Sequence, residues 1–372
     1  MKIAVITGRG FEIFGGIESY IEEVYGCLAE SGHKIIVYSR KIEQGCDRTR
    51  VNNIENRILP YLKIRHLDIL SHCIISVIDT WLRDVDIICY HGSPAALASC
   101  LPVRPNVKKI VVFHGLDWKN RIFNRFFKLM MQISEIIGSK CSDQVVVVSE
   151  YLKEYFLTRH HTDAIHIPPG GRCYSQIPPR KILSLGLEKD KYILFLGRMT
   201  PEKGCHLLIQ AYKSINTEMK LVMAGPVIFN FNEPYYRYLR KIANNDNRII
   251  FTGAVKRDIK GELLSNAYIV VYPSLVGGLP LVVLEAMGYK KCVLVSTVCD
   301  YYKVIREYSV LFKTGDQEDL SGKLRLLLGD PVKCNEFGRM AQDYISAKLS
   351  WQDTALKFED VFYEIKNNGH GK

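Results

Sequence analysis

Short apolar runs rich in β-branched residues alternate with longer amphipathic segments along almost all of the 372-residue chain. This alternation is typical of parallel sheets covered by helices, so it predicts an α/β protein. The predicted strands of the first half are residues 2–7, 34–39, 85–90, 109–113 and 144–149. Those of the second half are residues 192–196, 220–224, 249–252, 268–272 and 292–296.

A segment rich in glycine and proline, residues 167–180, separates the two sets of strands and predicts a linker. A chain of this length exceeds one comfortable core. We therefore predict two doubly wound, Rossmann-like domains facing a cleft, residues 1–175 and 188–348. Residues 349–372 should form a last helix, because apolar residues recur there at roughly helical spacing.

Composition and charge narrow the class of protein. The hydrophobic content of 47% and charged content of 24% are those of a folded soluble chain, and no apolar run is long enough to span a bilayer. Because a strand is predicted from Lys2, we expect no signal peptide and a cytoplasmic location. Eleven cysteines without a Cys-x-x-Cys pair indicate neither a disulfide framework nor a zinc site. The net charge of +11 favours an acidic partner without choosing among nucleotide, membrane and nucleic acid.

The most informative segment is residues 272–287, which predicts a strand end, a glycine loop and a helix starting at Pro280. Near this helix start the backbone amides lack helical partners and the helix dipole favours an anion, which predicts a phosphate site. The amides concerned belong to Gly277, Gly278, Leu279 and Leu281. Glu285 follows in an apolar run and needs a hydrogen-bond donor, and a ribose diol is one.

A second strand-to-helix loop, residues 197–204, carries the cations Arg198 and Lys203. A guanidinium and an ammonium around one turn suit a diphosphate, although isolated surface cations are usually just solvated.

A third loop, residues 8–18, is rich in glycine but lacks the spacing of a dinucleotide-binding fingerprint, and a plain tight turn remains an alternative.

Two further features have structural and functional interpretations. The Asp-Val-Asp at residues 84–86 opens a predicted strand instead of closing one, so we predict no metal site there. Residues 119–131 interleave cations with aromatic side chains, which suits either a membrane-interface helix or an ordinary helix with solvated cations.

At these loops the chain resembles the retaining GT-B glycosyltransferases of family 4. The segment His-Gly-Leu-Asp-Trp-Lys at residues 114–119 is similar to that of a rhamnosyltransferase-like subset. The resemblance implies a GT-B fold whose last helix crosses back to the first domain. It also implies transfer of a sugar, with retention, from a nucleotide sugar to a glycan or lipid-linked glycan in polysaccharide or glycoconjugate synthesis. Nucleic acid is not an expected partner, and contact with the inner face of an anionic membrane is left open.

The resemblance also assigns roles to residues. Arg198 and Lys203 would hold the diphosphate in place of a metal or other cofactor, Glu285 the ribose, Gly16 a donor phosphate and His114 the sugar. The implied catalytic residues are therefore His114, Arg198, Lys203 and Glu285. The implied donor-binding residues include three of these, Arg198, Lys203 and Glu285. The others are Gly16, Gly277, Gly278, Leu279, Pro280 and Leu281.

Two positions depart from the family pattern. The family has a glutamate eight residues before Glu285, where this chain has Gly277. The family also has a glycine and a proline after this helix, where Lys290 and Cys292 stand. The first departure leaves two alternatives: a non-catalytic subunit that binds nucleotide sugars, or a GT-B sugar-nucleotide epimerase.

Overall fold

The fold was analysed in a computed structural model, which describes residues 1–8, 10, 16–40, 50–51, 54–64, 67–119, 124–227, 233–276, 280–298 and 302–367. The chain divides into two compact units. The first comprises Met1–Gly170 and Trp351–Lys372, and the second comprises Gly171–Ser350. The division after Gly170 falls inside the glycine- and proline-rich segment.

The first unit contains a sheet of eight strands among the described residues, in the order β3-β4-β2-β1-β5-β6-β7-β8. All neighbouring strands are parallel except β3 and β4. The strands are β1 (Lys2–Thr7), β2 (Lys34–Arg40), β3 (Arg50–Val51), β4 (Ile54–Leu59), β5 (Ile87–His91), β6 (Lys108–Phe113), β7 (Gln144–Val147) and β8 (Ile165–His166). The helices are α1 (Gly16–Glu30), α2 (Asp68–Thr80), α3 (Ser93–Leu97), α4 (Arg125–Cys141) and α5 (Glu150–His160).

The second unit contains a parallel sheet of six described strands, in the order β11-β10-β9-β12-β13-β14. These strands are β9 (Tyr192–Leu196), β10 (Lys220–Ala224), β11 (Ile249–Gly253), β12 (Ile269–Tyr272), β13 (Cys292–Ser296) and β14 (Val310–Phe312). The helices are α6 (Cys205–Lys213), α7 (Glu233–Ala243), α8 (Arg257–Asn266), α9 (Leu281–Gly288), α10 (Tyr302–Ile305), α11 (Gln317–Leu328) and α12 (Pro331–Lys348). Alternate residues of β9 enter separate apolar layers, Leu194 in one and Phe195 in the other. Such burial on both sides explains the continuous apolar strands.

The last helix, α13 (Trp351–Asn367), belongs to the first unit and packs against α1. The rings of Trp351 and Tyr20 pack edge to face with their centres 5.5 Å apart, and Glu359 Oε1 lies 2.8 Å from His33 Nε2. Near its end, Lys366 Nζ donates to Asp86 Oδ1 at 2.6 Å. The helix therefore completes the first unit.

The α/β class and the two sheets are as predicted, and four short strands were missed. Strands β3, β8 and β14 have only two or three residues, and β4 contains three consecutive polar residues, Glu55 to Arg57. Such segments carry no sustained apolar pattern. Several predicted boundaries were also off by one or two residues, as for β5, predicted over residues 85–90 and observed over Ile87–His91. Ser149 is not in a strand but caps α5, accepting a hydrogen bond from the Leu152 amide, and Pro280 precedes the helix that begins at Leu281.

None of the described helices combines the length and apolar character needed to cross a lipid bilayer.

Candidate functional site

In the second unit, two loops pack together where the neighbouring strands β9 and β12 end. The amide of Leu275 donates to the Glu202 carbonyl at 2.8 Å, and the Ser274 hydroxyl donates to the same carbonyl at 3.2 Å. Gly204 has a φ of 67°, and a Cβ there would lie 1.9 Å from the Pro273 carbonyl oxygen. Only glycine permits this approach. The loop that carries the predicted cations is therefore joined to the loop that leads to α9.

Lys203 is held at this junction by an aromatic partner. Its Nζ donates to the Tyr272 hydroxyl at 2.5 Å and lies 5.0 Å from the centre of the same ring. Tyr272 ends β12, so the ammonium stays at the carboxyl ends of the strands, where ligands of parallel sheets bind. Arg198 is exposed, and its guanidinium makes no hydrogen bond or ion pair with described residues, although its carbonyl accepts from the Thr200 amide at 3.0 Å. Its guanidinium is thus available to a ligand.

Glu285 lies in α9 and is paired with a residue that the sequence analysis missed. Lys260 Nζ, from α8, donates to Glu285 Oε1 at 2.6 Å. The other oxygen, Oε2, is buried and has no hydrogen-bond partner among the described residues. A half-satisfied carboxylate can accept a hydrogen bond from a ligand hydroxyl. No sequence signal pointed to Lys260, because α8 resembles many charged surface helices.

Of the other residues predicted to bind phosphate, the structure describes Gly16, Pro280 and Leu281. Leu281 is the first residue of α9 and Pro280 the residue before it. Gly277, Gly278 and Leu279 lie outside the described residues. In the first unit, Gly16 is the exposed first residue of α1, and a Cβ there would meet no atom of the described residues within 4 Å.

His114 directly follows β6 in the first unit and contacts a second histidine. His91, the last residue of β5, places its Nδ1 2.9 Å from His114 Nε2, while its own Nε2 lies 2.7 Å from the Tyr25 hydroxyl. Burial lowers the pKa of His114 to about 4 and lowers that of His91 well below the usual range. Both rings are therefore neutral at pH 7. Sequence analysis could have found His91 as a histidine at a strand end.

The segment after His114 is tied down by side chains from neighbouring elements. The Ser93 hydroxyl donates to Asp117 Oδ2 at 2.8 Å, and Lys119 Nζ donates to the Tyr151 hydroxyl at 2.6 Å. These contacts fix the loop on which His114 lies.

The Asp-Val-Asp segment lies at the amino edge of the first sheet. Asp86 Oδ2 accepts a hydrogen bond from the Lys2 amide at 2.7 Å and Oδ1 accepts one from Lys366, while the Asp84 side chain is fully exposed. In the described part of the chain, no group of three His, Cys, Asp or Glu side chains is arranged to hold a metal ion.

The helix that carries Glu285 ends in a left-handed residue, although the sequence has no glycine there. Lys290 has a φ of 61°. The amide of Lys291 donates to the Ala286 carbonyl at 3.0 Å, and that of Lys290 to the Met287 carbonyl at 2.9 Å. The missing glycine therefore does not change the chain path, because a lysine adopts the strained conformation.

Comparisons with known families cover nearly the whole chain. Residues 14–171 match the family described as Glycosyltransferase Family 4, and residues 181–344 match the family described as Glycosyl transferases group 1.

Two curated relatives illustrate the similarity. The lipopolysaccharide 1,2-N-acetylglucosaminetransferase of Salmonella typhimurium is 25% identical over 259 residues, which are 64% of this chain and 67% of that protein. An uncharacterized glycosyltransferase of Methanocaldococcus jannaschii is 22% identical over 370 residues, 96% of this chain and 97% of that protein.

Solved structures share the fold over nearly the full length. Sucrose-phosphate synthase from Thermosynechococcus elongatus has a TM-score of 0.83 at 20% identity and covers 98% of each chain. Anabaena HepE, in complex with UDP and glucose, has a TM-score of 0.81 at 16% identity, covering 98% of this chain and 100% of that one. At these identities the likeness establishes the fold alone.

Proposed function

This chain belongs to the family 4 glycosyltransferases with the GT-B fold, and on that premise we propose that it transfers a sugar, with retention, from a nucleotide-sugar donor to a glycan or lipid-linked glycan. The observation that carries the proposal is the junction of the two loops in the second unit. This junction holds the Lys203 ammonium at the carboxyl end of β12, the strand that precedes α9. Ammonium groups and helix amino ends both favour phosphate.

The proposed chemistry needs the departing nucleotide diphosphate to be stabilised. Arg198 and Lys203 supply positive charge to its oxygens as the bond to the sugar breaks, so the reaction proceeds without a metal ion. Glu285 Oε2 accepts a hydrogen bond from a ribose hydroxyl, since Lys260 occupies only the other oxygen. Gly16, at the exposed amino end of α1, binds a donor phosphate through its amide, and His114, being neutral, exchanges hydrogen bonds with the donor sugar without adding charge.

Gly277 bears on the rate and on donor choice. A glutamate there would accept hydrogen bonds from sugar hydroxyls, and losing such charge-assisted bonds costs about 1.5 to 3 kcal/mol. We therefore propose that the protein turns over slowly with common donors or uses a donor that lacks the corresponding hydroxyl contact. A non-catalytic subunit and an epimerase are the competing functions.

Incubation with UDP, GDP and dTDP sugars, with and without glycan acceptors, tests the proposal by product analysis. The expected product is a glycoside with the donor's anomeric configuration, formed equally well with EDTA present. Binding without product would identify a non-catalytic subunit, and an isomerised donor would identify an epimerase. The Gly277→Glu variant should raise turnover with at least one donor.

The exposed surface of α4, in the first unit, supports our proposal that the protein contacts the cytoplasmic face of a membrane. On α4 the fully buried residues are Ser134, Glu135 and Gly138, whereas several large apolar residues are exposed. Four large apolar side chains of this helix are between 41% and 64% exposed, namely Phe126, Leu129, Ile133 and Ile136. Together with the exposed Lys140 they form what we call the apolar α4 face. Arg125 and Lys128 adjoin it.

An ordinary surface helix buries its apolar side, so this inverted pattern suits an external apolar partner. Cations beside an apolar stripe suit an anionic lipid surface. The net charge of +11 acts in the same direction. A lipid-linked acceptor would be met at that surface.

A further inference from the structure

Three aromatic side chains from separate elements form a hydrogen-bonded row that ends at His114. Tyr25 comes from α1, His91 from the end of β5 and His114 from the loop after β6. The Tyr25 hydroxyl lies 2.7 Å from His91 Nε2, and His91 Nδ1 lies 2.9 Å from His114 Nε2. The two imidazole rings stack with their centres 5.2 Å apart. Tyr25 is 0% exposed and His91 2% exposed, so the row is closed to water up to His114.

We propose that His91 is a positioning residue which, together with Tyr25, fixes the ring proton of His114 on Nδ1, so that His114 presents an N–H donor to a hydroxyl of the donor sugar. The inference rests on the proposed function in one respect, namely that His114 meets the sugar. The proton position itself follows from the buried row and can be measured without turnover.

The direction of the row follows from its buried end. The Tyr25 hydroxyl has one proton to donate; it lies within hydrogen-bond distance of His91 Nε2, and the Cys89 thiol and the Tyr20 side chain are also near it. An imidazole nitrogen is a far better acceptor than a thiol sulfur, so the tyrosine donates to His91. His91 then carries its proton on Nδ1 and donates it to His114 Nε2. His114 Nε2 is therefore an acceptor, and the proton of this neutral ring must be on Nδ1.

The free nitrogen of His114 is available to a ligand. His114 is only partly buried, and its Nδ1 makes no hydrogen bond to any described residue. The ring cannot easily turn over, because Tyr20 packs edge-on against it with centres 4.8 Å apart and His91 stacks on its other side. A ring held in this way keeps its Nδ1–H directed away from the buried row.

Two substitutions at His91 separate its two hydrogen bonds. In His91→Asn the side-chain amide can occupy the place of Nδ1 and still donate to His114, whereas in His91→Gln it occupies the place of Nε2 and reaches only Tyr25. Tyr25→Phe removes the hydroxyl at the start of the row while keeping the ring. These three variants and the native protein form the test set.

Proton–nitrogen correlation spectra of the full chain labelled with 15N-histidine report which ring nitrogen of His114 is protonated. We expect Nδ1–H in the native protein and in His91→Asn, and a shift toward Nε2–H in His91→Gln and Tyr25→Phe. Nε2–H in the native protein, or the same tautomer in all four proteins, would overturn the inference.

Kinetics with the nucleotide sugar provide the second readout. His91→Gln should lower kcat/KM by about tenfold, the value of one hydrogen bond, while binding of the nucleotide diphosphate alone stays unchanged. His91→Asn should recover most of that loss. Equal losses in both variants would contradict a positioning role. If the spectra agree but no donor is turned over, the proposed function fails and the assignment of the His114 proton stands.

Discussion

The Lys260 ammonium lies 2.6 Å from Glu285 Oε1, while Oε2 of the same carboxylate is buried and has no hydrogen-bond partner in the part of the chain that the structure describes. Lysine neutralises the charge of Glu285 but uses only one of its two oxygens. An unsatisfied buried acceptor is costly, and a ligand that donates to it removes that cost. The pair therefore leaves one carboxylate oxygen on α9 open to a hydrogen-bond donor from a ligand.

Glu285→Gln should weaken binding of the preferred nucleoside diphosphate by about 1.5 to 3 kcal/mol, because a charge-assisted hydrogen bond to the ribose is lost. Calorimetry with the nucleotide and its 3′-deoxy form makes the test specific, since the variant should no longer distinguish the two. The matched control is Asp258→Asn on α8, whose exposed carboxylate pairs with Lys181. If Glu285→Gln still discriminates fully against the deoxy nucleotide, Glu285 does not hold the ribose.

Lys203→Ala and Arg198→Ala should each weaken nucleoside diphosphate binding by about 1.5 to 3 kcal/mol and affect the bare nucleoside little. Lys203 is preorganised by Tyr272, so Tyr272→Phe should have a smaller effect of the same sign. Lys213→Ala provides the control, because Lys213 ends α6, the helix that follows the loop, and its Nζ donates to the Ile242 carbonyl. Unchanged diphosphate affinity in both alanine variants would show that Arg198 and Lys203 do not bind the diphosphate.

Replacing Leu129 and Ile133 together by glutamate should abolish sedimentation with vesicles of anionic phospholipid. The change places two negative charges on the apolar α4 face, where lipid tails and anionic headgroups both disfavour them. Leu326→Glu on α11 is the control, since Leu326 is 56% exposed on the second unit. Equal vesicle binding by the native protein and the double variant would show that α4 does not contact lipid.

Lys290→Gly should stabilise the second unit by about 1 kcal/mol, because glycine adopts a φ of 61° without the steric cost that a side chain brings. The comparison is Lys357→Gly in the exposed middle of α13, which should destabilise by about 1 kcal/mol. All three tryptophans, Trp81, Trp118 and Trp351, lie in the first unit. Urea unfolding followed by circular dichroism together with tryptophan fluorescence therefore separates the two units. A lower midpoint for Lys290→Gly would contradict the prediction.

Mild acid should destabilise the first unit through His72, which is 0% exposed on α2 and whose pKa burial lowers to about 4. Between pH 6.5 and 4 the unfolded chain binds a proton at this residue and the native chain does not, so the free energy of unfolding falls as pH falls. The contribution at pH 5 is about 2 kcal/mol relative to pH 7. Tryptophan fluorescence during urea unfolding should show a smaller loss between pH 7 and pH 5 in His72→Met. An equal loss in the variant would assign the acid sensitivity to other groups.

Local pattern determined the class of fold and the loops that carry the candidate site. Alternating strands and helices follow from apolar periodicity, and glycine and proline mark loops because they act on the backbone where they stand. The strand-end and early helical positions of Arg198, Lys203 and Glu285 follow from this pattern, whereas their roles, and the choice of His114, came from the resemblance to family 4. The prediction failed where a segment was too short or too polar to show a pattern, as in β4 and β14.

The partners of those residues were decided only by the tertiary structure. Lys260 is 25 residues from Glu285 in the chain, and Tyr25 is 66 residues from His91, so neither pair leaves a periodic trace. Such contacts depend on how separate helices and strands pack, and packing is determined by the whole core. Lys290 makes the same point for the backbone: its sequence position argues against a left-handed residue, but the packed end of α9 imposes one.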